Sequence, residues 1–161
     1  MKIGIILDST EVSWYINDLI EWINKDPNLN LEVLLIQNIK NKRRPILSDS
    51  LSKIVDRIFF KILNVLEKGL IYKKYPQYKK HFLKYDLRKL NIKELNVEFE
   101  KSNHGRDFNY NDKTIDKIKA LNLDIIIRGG SGILKGKVLN SSKFGIISFH
   151  HGDNLVNRGG P

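Results

Sequence analysis

Short apolar runs separated by polar helical patterns organise this chain. Lys2-Ile-Gly-Ile-Ile-Leu7, Leu31–Ile36, Leu123–Ile127 and Gly145–Phe149 are close to continuous in hydrophobicity, as strands buried on both faces of a parallel sheet are. Leu95–Phe99 alternates as Leu-Asn-Val-Glu-Phe and predicts a more exposed strand. Val12, Tyr15, Ile16, Leu19, Ile20 and Ile23 recur at helical spacing, which predicts a helix over about 11–25, stopped by Asp26-Pro27. Asp8, Ser9 and Thr10 precede it as capping residues, or as groups that touch a substrate phosphate or ribose. Farther on, Ser48 or Ser50 opens a second amphipathic helix. Its face of Leu51, Ile54, Val55, Ile58, Phe59, Ile62, Leu63 and Leu66 reads as core, and Gly69 as its C-terminal cap. Residues 101–110 read as a loop holding His104 and Arg106, either inert or in reach of a substrate anion. Shorter helices are predicted from Asn111 or Asp112 to Leu121 and from Lys135 to Ser142.

Strand, helix and strand at these lengths form a right-handed βαβ unit. The predicted fold is α/β and Rossmann-like: a mostly parallel sheet with flanking helices, in a single domain over 1–161. No Gly-x-Gly-x-x-Gly follows the first strand, so the dinucleotide fingerprint is absent.

Composition changes this picture in two ways. Cysteine is absent, which excludes disulfides, thiolate catalysis and Cys-based metal sites. The net charge is +10, and such a surface attracts nucleic acid, anionic lipid or phosphorylated substrates, or is merely solvated. The charge gathers in a basic loop at Lys40, Lys42, Arg43 and Arg44. It gathers again at Ile71–Lys93, where eight basic residues face Asp86 alone among Tyr72, Tyr75, Tyr78 and Tyr85. That stretch predicts a basic helical insertion at about 70–94. It is either a solvated hairpin or a surface for single-stranded nucleic acid, bound by phosphate contacts and stacking. Hydrophobic content of 41%, charged content of 29% and the lack of any apolar run near the roughly 18–20 residues of a membrane span lead to the expectation of a soluble, cytoplasmic protein without a membrane partner.

Candidate chemistry follows two strand ends. Leu123–Ile127 leads into Arg128-Gly-Gly-Ser-Gly-Ile-Leu134, and Gly145–Phe149 into His150-His151-Gly-Asp153-Asn154, then Asn157-Arg158-Gly159. In open α/β sheets the ligand crevice lies beyond such carboxyl ends. Ser148-Phe149-His150, with Arg158-Gly159 eight and nine residues after the histidine, resembles the Asn-x-His and Arg-Gly spacing of the folate-dependent formyltransferases. These are the glycinamide-ribonucleotide, methionyl-tRNA and sugar N-formyltransferase superfamily. The aspartate-bearing strand leading into a small-residue loop and Ile-Leu is similar too. The leading Asn and a Pro-Ser-Leu-Leu-Pro run are not matched, so the resemblance is to a divergent branch.

The resemblance implies transfer of a formyl group from 10-formyltetrahydrofolate to an amine, such as an amino sugar, through a tetrahedral oxyanion. It assigns His150 and Ser148 to catalysis. Arg128, Gly129, Gly130, Ser131, Gly132, Ile133 and Leu134 are assigned to the folate donor, and Asp153, Asn154, Asn157, Arg158 and Gly159 to the acceptor. An imidazole with an unperturbed pKa of about 6.5 can exchange the amine proton near neutrality. Ser148 would supply an oxyanion donor. The family's catalytic Asp comes from a loop farther downstream, so a chain incomplete at its C-terminus, and inactive as it stands, is expected. Other readings remain. His150 and His151 form a structural pair bonded to Asp153, or the chain is a non-catalytic module binding RNA or an acidic partner, or the crevice takes a nucleotide sugar. A metal site on His150, His151 and Asp153 is disfavoured, because adjacent strand side chains point to opposite faces.

Overall fold

Ile3–Leu7 lie buried in β1 (Lys2–Leu7), and their side chains divide by parity. Ile3, Ile5 and Leu7 pack on one face of the sheet and Ile6 on the other, because successive strand residues point to opposite sides. The computed structural model describes residues 1–39, 51–102 and 105–149. After a three-residue strand, β2 (Glu11–Ser13), helix α1 (Trp14–Lys25) leads to β3 (Asn30–Ile36). The expected helix start at about residue 11 is corrected. Glu11–Ser13 is extended and forms a two-stranded sheet with β4 (Lys84–Asp86), so the N-cap is Ser13 and not the Asp8-Ser9-Thr10 turn.

The chain divides into two compact units, one of Met1–Ile39 with Tyr85–Pro161 and one of Lys40–Lys84. In the first, β5 (Glu94–Asn96), β6 (Phe99–Lys101), β7 (Asp107–Tyr110), α3 (Asp112–Ala120), β8 (Ile125–Arg128), β9 (Ile133–Lys135) and β10 (Ile146–Ser148) follow in sequence. The main sheet has the order β10-β8-β1-β3-β5, and every pairing in it is parallel. β1 starts in the centre, the chain builds outward through β3 and β5, then returns to β1's other side for β8 and β10. This reversal puts a topological switch point between β1 and β8. The α/β, Rossmann-like architecture read from the sequence is therefore present.

Two apolar layers cover the sheet. Ile16, Ile20 and Ile23 of α1 pack with Ile3, Ile5, Leu7, Leu34 and Ile36 on one face. On the other, Ile115 and Ile118 of α3 pack with Ile6, Val33, Leu35 and Ile126. A smaller sheet, β6-β7-β9, completes that second layer through Phe108, Tyr110 and Leu134. It was not legible in the sequence. The single strand expected at 95–99 is split at buried Val97, whose N–H donates to the Ile36 carbonyl at 2.9 Å, so β5 and β6 belong to different sheets. The loop expected at 101–110 contains β7, whose Asp-Phe-Asn-Tyr alternation buries Phe108 and Tyr110. β10 is an edge strand with Ile147 half exposed, not the buried strand its composition suggested.

In the second unit α2 (Leu51–Lys74) runs through Gly69 without ending there. A 3₁₀ turn at Pro76–Phe82 packs near its C-terminal end, Tyr72 meeting Phe82 edge-on at 5.3 Å. The apolar face expected to be core is exposed instead: Val55 is 60%, Phe59 61% and Leu66 58% accessible. Helical periodicity identifies an apolar stripe but carries no information on what covers it. Of the basic stretch expected at about 70–94, residues through Lys84 belong to this unit and those from Tyr85 to the first. No helix among the described residues is long and apolar enough to cross a membrane.

The layered core makes a graded prediction. Ile20→Ala removes a side chain with no exposure and is expected to cost about 2–4 kcal/mol in urea denaturation. Trp22→Ala, at a site 59% exposed on the same helix, should change stability by no more than about 0.5 kcal/mol.

Candidate functional site

Strand ends meet at the switch point, and their polar residues are bound into one cluster. Asp8 follows β1 directly, and its Oδ1 accepts the Ser131 N–H at 2.9 Å. The Gly129 N–H donates to the Ile6 carbonyl at 2.9 Å, extending the β1–β8 pairing into the turn. One carboxylate thus clasps the glycine turn to the opposite side of the switch. Gly130 leaves no room for a side chain: a Cβ there would stand 2.8 Å from Asp8 Oδ1 and 3.3 Å from Gln37 Oε1. Gly132 has φ +83° and faces the Phe108 ring, which a Cβ would meet at 2.4 Å. The glycines of 128–134 are therefore required by close approach and by left-handed backbone.

Four further side chains line this edge. Gln37 follows β3 directly; it is 3% exposed, and its Nε2 donates to the Tyr110 hydroxyl at 2.7 Å. Its Oε1 is buried with no hydrogen-bond partner among the described residues. Arg128 ends β8, and its Nη1 donates to Ser148 Oγ of β10 at 3.3 Å, across the pair that the ladder sets side by side. Its Nε is also buried without a hydrogen-bond partner among the described residues. Burial pulls the Arg128 guanidinium below its usual pKa range, while the charge of Asp8 and then Tyr110 act in the opposite direction. Burial pushes the Tyr110 hydroxyl up to about 12; the Gln37 hydrogen bond and the Arg128 charge oppose this. A cation, a carboxylate, an amide and two hydroxyls thus sit at the carboxyl edge of a parallel sheet, two of their polar atoms still unpaired. Unpaired buried polar atoms cost free energy, so the fold maintains this cluster against its own stability.

The residues expected from sequence divide into three groups. Arg128, Gly129, Gly130, Ser131 and Ser148 are brought to this edge. Gly132 lies under the Phe108 ring, and Ile133 and Leu134 are not loop residues at all. They belong to β9, paired in parallel with β7, which the apolar Leu134 anchors in the second layer. His104, His150, His151, Asp153, Asn154, Asn157, Arg158 and Gly159 lie outside the described residues. Sequence reasoning missed Gln37 and Tyr110; the period-two alternation of 107–110 was the signal for the second. Ser9 and Thr10 do not cap α1, and Asp8 binds the glycine turn in place of capping.

A separate cavity of about 550 Å³, bordered by Asn122, Leu123, Asp124 and Ser142, lies at the amino ends of β8 and β10. It holds no comparable cluster, and parallel sheets take ligands at the opposite edge. Among the described residues no group of three or more His, Asp or Glu is arranged to hold a metal ion. No family model, curated protein or solved structure matches the chain.

Tyr110 gives the cluster a pH signature. Its folded pKa of about 12 exceeds the ordinary 10.0, so the neutral hydroxyl is favoured by folding. The contribution is complete below pH 10 and disappears as pH rises through 12. Stability measured by urea denaturation should fall over that interval by about 2–3 kcal/mol more in the wild type than in Tyr110→Phe. Parallel curves would show that the hydroxyl is not held as described.

Proposed function

We propose that this chain is a formyltransferase-like protein that passes a formyl group from 10-formyltetrahydrofolate to an amine. The observation that supports the reading is the adjacency of β8 and β10. Their register sets Arg128 beside Ser148, so the glycine turn leaves β8 next to the carboxyl end of β10. A crevice built this way can hold a flat donor against backbone on one strand end and present proton-handling chemistry from the next.

In the proposed step the amine lone pair attacks the formyl carbon and its C=O becomes a tetrahedral oxyanion. Collapse breaks the carbon–N10 bond; the amine gives up a proton and N10 gains one, with His150 as carrier. Ser148 would donate its hydroxyl hydrogen to the oxyanion. Arg128 acts through it: by donating to Ser148 Oγ at 3.3 Å, it orients the hydroxyl and places positive charge behind the developing negative one. Arg128 is thereby a positioning residue as well as part of the donor loop. An amino sugar fits the acceptor class, with Arg158 pairing with its phosphate or carboxylate.

Calorimetric titration of the full-length protein with the stable analogue 5-formyltetrahydrofolate tests donor binding, and formyl transfer by that full-length protein to a panel of amino sugars tests activity. Gly130→Ala should weaken analogue binding at least tenfold, since its Cβ displaces the Asp8 clasp. His150→Ala should keep binding and lose transfer by at least a hundredfold. Absence of folate binding in the wild type, with transfer unaltered in His150→Ala, would reject the assignment.

A further inference from the structure

The chain's charge is not spread over it. Of its 28 Lys and Arg, thirteen fall within Lys40–Lys84, and of its 18 Asp and Glu only three do, so this unit holds the entire +10 and the rest of the chain fifteen charges of each sign. In this unit α2 also exposes large apolar groups along its length. Val55, Ile58, Phe59, Ile62, Leu66 and Leu70, at helical spacing, are between 53% and 70% accessible. Arg57, Lys61 and Lys68 follow one another at steps of four and seven residues and form a basic strip on the flank beyond Ile58, where exposed Val65 extends the apolar surface toward it; Lys68 Nζ also lies 5.2 Å from the Phe82 ring centroid.

Three occupants suit an apolar helix face, and the charge separates them. A second copy would bring another +10 unit against the first, with like charges opposed. Nucleic acid would match the charge, but its bases stack on aromatic and guanidinium planes. The exposed sector is chiefly Val, Ile and Leu, which offer no such plane. An anionic bilayer surface meets both requirements: acyl chains for the aliphatic sector and headgroups for the cations at its border. Lys and Arg stems at such a border lie along the apolar boundary while their heads stay in water. Tyr75 and Tyr78, 42% and 44% exposed, line an apolar pocket of about 410 Å³ with Ile71, His81 and Phe82 near the helix's C-terminal end. Aromatic rings with a polar tip settle at the headgroup level.

We infer that α2 is an interfacial helix that docks the protein, by its Val55–Leu70 face, on the surface of an anionic phospholipid bilayer. The helix lies on the membrane and does not cross it, in keeping with the charges it carries. The inference is independent of the formyl-transfer reading, because no residue of the sheet edge enters it.

Flotation of the full chain with vesicles of phosphatidylglycerol and phosphatidylcholine at 30:70, against pure phosphatidylcholine, tests it. Binding to the anionic vesicles should exceed binding to neutral ones at least tenfold and fall as salt is raised. Phe59→Asp with Leu66→Asp should abolish it, and Arg57→Glu with Lys61→Glu and Lys68→Glu should reduce it at least tenfold. All five positions are exposed, so circular dichroism should show wild-type helix content in both variants. Equal binding to both vesicle types, or vesicle binding that survives Phe59→Asp with Leu66→Asp, would overturn the inference. So would a wild-type dimer in light scattering that Leu66→Asp dissociates, or retention of a single-stranded RNA oligonucleotide by a chain that ignores vesicles.

Discussion

The structure rests on a central strand that has no solvent face. β1 is paired on both edges, to β3 and to β8, and covered on both sides by separate apolar layers. From Ile3 to Leu7 it carries no polar side chain, because a buried polar side chain without partners costs free energy. The small Gly4 stands close to Leu123, whose Cδ1 would meet a Cβ there at 2.7 Å. The chain crosses from β1 to β3 on one side and later returns to β8 on the other, which opens the β1/β8 gap. Asp8, Gln37, Tyr110 and Arg128 gather where that gap opens.

What holds the gap in shape is a small number of bonds between distant parts of the chain. Asp8 and Ser131 are 123 residues apart and Gln37 and Tyr110 are 73, and each pair joins two strand ends. Such bonds cannot form until the sheet is assembled. Gln37 Oε1 and Arg128 Nε are buried without a hydrogen-bond partner among the described residues. This is the kind of local cost that accompanies a binding edge in an otherwise apolar layer.

The two units divide physical roles as well as residues. The first is close to electroneutral, with a two-sided core. The second carries the net charge and leaves its longest helix apolar and exposed. A helix of 24 residues with so much aliphatic surface in water is costly.

The apolar runs by themselves determined the α/β class, the four principal strands β1, β3, β8 and β10, and the helices α1 and α3. Burial on both faces leaves a continuous hydrophobic signature, and one-sided burial leaves a periodic one. The glycine turn after β8 and Ser148 on β10 were legible for the same reason, since they interrupt those runs abruptly. Tertiary structure alone decided that residues 11–13 extend instead of starting the helix, because their pairing partner is Lys84–Asp86, far along the chain. It also decided that Ile133 and Leu134 join a second sheet, that Gln37 and Tyr110 complete the polar edge, and that the stripe on α2 is not core. In each case the residue's own pattern is compatible with two environments. The choice is made by a partner distant in sequence, whose position no local periodicity encodes.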